Sequence, residues 1–205
     1  MDIASPLLVL LFLLFNKKEI KGGFKWFVYY LLSIFLFSAI TQIFDILNKH
    51  KTSNLLFYHF NCIFFVFLLS KYFDFCIKSK ASRILDVVFL VPFIILSLLN
   101  FIYLKRTFTI YGLTSIWVSI KCLSFYEKKL SSPTRENILE SRNFWIFSGL
   151  FLYFSVTFII FITYDFLTIG YLKGNYDWIG NLWKIHNGIL FLSCLFYIKA
   201  IKCKE

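Results

Sequence analysis

The side chains best equipped for chemistry sit at the ends of apolar runs. Trp183, Lys184, His186 and Asn187 open the last run, which begins near Trp178 and is almost wholly Leu, Phe, Ile and Cys before Cys203. The i, i+3, i+4 spacing of Trp183, His186 and Asn187 puts all three on one helical stripe. His59 and Asn61 lie near the start of an earlier run, and Gln42 and Asp45 near the end of the one before it. An imidazole donates, accepts or carries a proton near neutral pH, and an amide offers both donors and an acceptor. Lys184 with Asp45 or Asp165 supplies charge. The set suits recognition by hydrogen bonding, with proton linkage through His59 and His186.

Counting ligands narrows the chemistry. The chain has three histidines, His50, His59 and His186. A haem-bearing bundle needs facing histidine pairs, and His59 with His186 is the one pair available, since His50 falls in a loop. A retinal protein needs a mid-membrane lysine in the last span, whereas Lys184 lies near one end. A seven-helix zinc hydrolase similar to the alkaline ceramidases carries His-x-x-x-His in its last helix; here His186 is followed four residues on by Leu190, so the expected three zinc ligands are not on offer. His59, Ser38 and Asp45 form no Ser-His-Asp motif. No cofactor and no metal is expected. The five cysteines, Cys62, Cys76, Cys122, Cys194 and Cys203, read as small buried hydrophobes.

The elements that must position these groups are apolar helices. Hydrophobic residues make up 59% of the chain and aromatic ones 22%. Mean hydropathy is +0.73, outside the range of soluble domains. The runs predict an all-α, polytopic, seven-helix transmembrane bundle forming a single domain, with helices over about 3–15, 24–47, 55–77, 84–104, 107–126, 143–164 and 178–202. The first run is short for crossing a bilayer unless it tilts within a bundle or begins upstream. Asp2 before it and Lys17, Lys18 and Lys21 after it reverse the charge order of a secretory signal. Pro92 predicts a kink in the fourth helix. Ser132-Pro133 predicts a helix start, running into the sixth span.

The formal charge of +11 follows the loops, which argues for membrane orientation and against nucleic acid. Fourteen Lys and Arg flank the odd-numbered loops and the C-terminal tail, against five on the opposite side. The positive-inside rule therefore puts the N-terminus outside and the C-terminus in the cytosol of a bacterial inner membrane. On that topology the polar groups sort by depth. Gln42, Asp45, His59, Asn61, Asn100, Tyr164, Asp165, Asn181, Lys184, His186 and Asn187 fall on the outer side, with Thr109, Tyr111 and Thr114 at similar depth. Hydrocarbon cannot satisfy such groups, so they face the bundle or a wet cavity. Their convergence predicts an outward-facing polar pocket; interhelical hydrogen bonding is the competing account. Lys71, Asp74, Asp86 and Lys121, on the cytosolic side, are expected to pair structurally.

Phe144-Trp145-Ile146-Phe147-Ser148-Gly149-Leu150-Phe151-Leu152-Tyr153-Phe154-Ser155, with Leu182-Trp183-Lys184-Ile185-His186-Asn187, resembles small seven-helix membrane proteins of Bacteroidota-type bacteria. Some of these are similar to the seven-helix sensor regions of histidine kinases. The resemblance covers about a quarter of the chain and implies a sensory or accessory role. No kinase follows here, so a signal would pass to a separate partner such as a histidine kinase. The expected function is a receptor-like or accessory membrane protein that binds a small molecule or membrane lipid. The loop from Glu127 to Arg142 is its expected docking surface. An intramembrane lipid-modifying hydrolase and a purely structural subunit are the alternatives.

Overall fold

The computed structural model describes residues 3–16, 20–48, 55–103, 107–131, 137–172 and 177–203; the side chains at 45, 48, 55, 100–103, 107–108, 164–172 and 177–179 lie outside the description. Among these residues the chain is all-helical. Its helices are α1 (Ala4–Phe15), α2 (Phe24–Asn48), α3 (Leu55–Ile77), α4 (Lys80–Tyr103), α5 (Thr107–Ser131), α6 (Arg142–Leu172) and α7 (Asp177–Lys202), with a short 3₁₀ turn at Ile138–Glu140. Five contain stretches long and apolar enough to cross a membrane: Phe24–Phe44, Leu56–Ile77, Lys80–Leu99, Arg142–Thr163 and Gly180–Lys202. The chain is thus a multi-pass membrane protein. α1 rises only about 18 Å over its twelve residues. α5 is diluted by Thr107, Thr109, Thr114, Ser115, Ser119 and Lys121.

The helices group into two compact units, Asp2–Thr107 and Phe108–Glu205. In the first, α2 and α3 pack antiparallel through an aromatic seam. Phe27 meets Tyr72 at 5.7 Å, Phe37 meets Phe64 at 5.6 Å and Phe44 meets Phe57 at 4.9 Å between ring centroids. Within lipid the hydrophobic effect cannot join helices, so such van der Waals packing must; each aromatic pair adds roughly 0.5–1.5 kcal/mol beyond buried area. α1 lays Val9 and Leu13, both buried, along its packed face. The two-residue link to α4 places Lys78 at φ 47°. Ser79 then caps α4, its Oγ accepting from the Ser82 N–H at 3.0 Å. That cap starts α4 at Lys80, a turn before the apolar run from Ile84.

In the second unit, α6 lies between α5 and α7. Phe125 of α5 stacks on Phe147 of α6 at 3.9 Å and 5°, and the Tyr126 hydroxyl meets Ser148 Oγ at 2.8 Å. α6 and α7 approach where α6 has no side chain. A Cβ on Gly149 would stand 2.5 Å from the Tyr197 ring and 3.1 Å from the Ser193 carbonyl. One expectation is corrected here. Ser132–Glu136 lie outside the described residues, but no helix runs from there into α6. Asn137 Oδ1 captures the Leu139 N–H at 3.1 Å, forming the 3₁₀ turn, and Ser141 is extended. α6 therefore starts at Arg142.

Candidate functional site

His186 is the centre of the second unit's polar chemistry. It sits on the α7 stripe His186, Leu190, Ser193, Tyr197, all buried and recurring at helical spacing. That stripe faces α6, as the Gly149 contacts to Ser193 and Tyr197 show. Three rings enclose the imidazole. Trp183, one turn earlier, stacks on it at 4.8 Å and 16°. Tyr153 and Phe161 of α6 approach at 5.5 and 5.6 Å. The Tyr153 hydroxyl lies 3.4 Å from Nε2, a long contact. His186 Nδ1 has no hydrogen-bond partner among the described residues, and neither do Asn187 Oδ1 and Ser193 Oγ.

The tautomer decides what the open ring nitrogen offers. If the phenol donates to Nε2, the ring proton is on Nδ1, which is then an unpaired donor. If Nε2–H donates to the phenol oxygen, Nδ1 is an unpaired acceptor. In both cases one imidazole nitrogen and the next residue's amide oxygen have no partner among the described residues. Buried polar atoms without partners cost about 1–3 kcal/mol each. Thr157, on the same α6 face as Tyr153 and Phe161, adds nothing to this cluster: its hydroxyl bonds back to the Tyr153 carbonyl at 2.8 Å.

The predicted residues divide between the units. Trp183 and His186 are in contact on α7, and Asn187 is half-buried beside them in sequence. Lys184 points away: it is exposed and reaches the Asn181 amide oxygen at 3.5 Å. In the first unit, His59 of α3 is buried, and its Nδ1 has no hydrogen-bond partner among the described residues. Asn61 is half-buried and Gln42 of α2 exposed. Asp45 lies within α2, with its side chain outside the described residues, as are those of Asn100, Tyr164 and Asp165. Thr114 and Ser115 of α5 are buried, and each hydroxyl bonds its own helix, to the Ile110 and Tyr111 carbonyls at 2.8 Å. Among the described residues no three His, Cys, Asp or Glu gather as a metal site.

Lys121 of α5 and Asp86 of α4 are buried, and the Lys71 ammonium lies 5.7 Å from the Phe67 ring. Two residues of the His186 cluster, Tyr153 and Phe161, escaped the reading of single residues. A signal for them exists: Tyr153, Thr157 and Phe161 recur every four residues and so share an α6 face. No protein-family model, curated protein or solved structure matches the chain.

Proposed function

We propose that the chain is a seven-span protein of a bacterial inner membrane, N-terminus outside, acting as a receptor-like or accessory protein. It recognises a small molecule or lipid at the His186 stripe and passes a helix shift to a separate signalling partner. The loop charge bias supports the orientation. The observation that carries the recognition reading is that two successive residues of α7 hold buried atoms without a hydrogen-bond partner among the described residues, His186 Nδ1 and Asn187 Oδ1, with the imidazole stacked on the half-buried Trp183 ring. A span that leaves two such atoms open bears a cost that an incoming ligand removes. Trp183 closes the site, so entry requires that ring to swing aside. The likeness to kinase-linked sensor regions points the same way.

The competing reading is a structural subunit, favoured by how closely the rings pack on His186. Native mass spectrometry of protein extracted from bacterial membranes separates the two. On the recognition reading, wild type carries a stoichiometric adduct, and Asn187→Leu loses it. Its melting temperature stays level or rises, by the equivalent of about 1 kcal/mol, because an unpaired buried amide has been removed. An adduct retained by Asn187→Leu and by His186→Phe sinks the recognition site. No adduct, with lowered melting in both variants, establishes the structural role.

A further inference from the structure

At the N-terminal end of α6, away from the Tyr153 and Phe161 contacts to His186, the second unit holds a cavity of about 210 Å³. Phe125, Tyr126 and Leu130 of α5, Ile138 of the 3₁₀ turn and Phe144 of α6 form its walls, with Lys129 among them. These walls are built rather than incidental. Tyr126 is held by Ser148 at 2.8 Å and meets Phe144 edge-on at 6.0 Å. The turn carrying Ile138 is pinned through the Leu139 carbonyl, which accepts from Trp145 Nε1 at 2.8 Å and from the Cys203 thiol at 3.8 Å.

Those pins also gather charge. They bring the C-terminal end of α7 to the turn, and Lys199 lies over the Trp145 ring at 5.8 Å. Lys128 and Lys129 end α5, Arg142 begins α6, and Lys199 and Lys202 end α7. Five basic residues thus face two acidic ones, Glu127 and Glu140, at this end of the unit among the described residues. The cavity is smaller than the roughly 300–1,000 Å³ of sites that enclose a whole drug-sized ligand. It fits one apolar end of a longer molecule whose anionic end stays outside among the cations.

We propose that this cavity is a binding site for an anionic phospholipid, with an acyl segment between Phe125, Ile138 and Phe144 and the headgroup phosphate on Lys129. A lipid is the occupant that the surroundings favour: the unit belongs to a multi-pass membrane protein, and its cationic end is where lipid phosphates lie. A basic side chain at an anionic membrane surface is worth about a fivefold change in affinity.

The test is native mass spectrometry of the full chain from nanodiscs of equal phosphatidylglycerol and phosphatidylcholine, with inorganic phosphate as a competitor. The expected result is one retained phosphatidylglycerol per chain, preferred over phosphatidylcholine and undisplaced by phosphate. Lys129→Gln should cut that preference about fivefold. Ile138→Trp, which fills the cavity, should lower retention of both lipids. Ile138 is 41% exposed, so folding tolerates the change; Leu130→Gln, at a still more exposed position, is the second probe. Equal retention of the two lipids, displacement by phosphate, or wild-type retention in all three variants overturns the proposal.

Discussion

Two glycines show how little a close approach says until the neighbour's freedom is known. A Cβ on Gly23 would stand 2.2 Å from the Phe75 ring, and one on Gly149 would stand 2.5 Å from Tyr197. The first looks worse. Yet Phe75 is 48% exposed and can swing outward, whereas Tyr197 is 2% exposed and has nowhere to go. The same Cβ would also stand 3.1 Å from the Ser193 carbonyl, which is backbone. Gly149→Ala should therefore destabilise by about 1–3 kcal/mol through overpacking, less whatever Ala gains over Gly in a helix, up to ~1 kcal/mol. Gly23→Ala should cost under about 1 kcal/mol. Thermal unfolding in detergent checks the order, and a larger loss for Gly23→Ala would refute it. Gly149→Ala with Tyr197→Ala should be less destabilised than the sum of the single variants, because the added methyl fills space the ring vacated. At this scale the sequence was partly legible. Trp183, His186 and Asn187 declare a common stripe by spacing alone. Their partners Tyr153 and Phe161 do not, because the register between α6 and α7 depends on where a glycine lets the helices meet.

Apolar runs locate elements but not their ends. α4 starts at Lys80 and α5 continues to Ser131, since the Lys, Ala, Arg, Glu and Leu at these ends are good helix formers although they interrupt the apolar run. The Ser79 cap on α4 was readable in principle; hydropathy does not register it. Similarly, Asn137 diverts the chain before α6 through a side-chain bond that no window average sees. Polar content in α5 is partly spent on the helix itself: Thr114, Ser115 and Ser119 each bond the carbonyl four residues back. Ring contacts tie α5 to α6, among them the stacked Phe125–Phe147 pair and Tyr111 against Phe161 at 5.2 Å, together with the hydrogen bond between Tyr126 and Ser148. Tyr126→Phe keeps the ring and deletes the bond. It should lower stability by roughly 0.6 kcal/mol, the mean for interhelical bonds in membrane proteins, measured by reversible unfolding in mixed micelles. A loss above about 2 kcal/mol would mean that the hydroxyl, more than the rings, holds the helices together.

For the whole molecule, the proposed orientation makes a binary prediction. A fluorescent-protein fusion after Cys203 should fluoresce, and an alkaline phosphatase fusion there should be inactive. Active phosphatase would place the cationic end outside and invert the topology. The membrane class needed only composition, because 59% hydrophobic residues leave no soluble solution. The grouping into two units was not legible, since the division falls at the first residues of α5, between Thr107 and Phe108, where the apolar runs carry no mark of it.

In mechanical terms Gly149 is a notch and Tyr197 the tooth seated in it. A toothed pair cannot slide. Any displacement that a ligand produced at the His186 end of α7 would have to carry α6 with it, as a tilt of both helices together. The far end of that lever is the turn at Leu139 and the cations around it, so on the proposed function what would leave the second unit is a swing of charge.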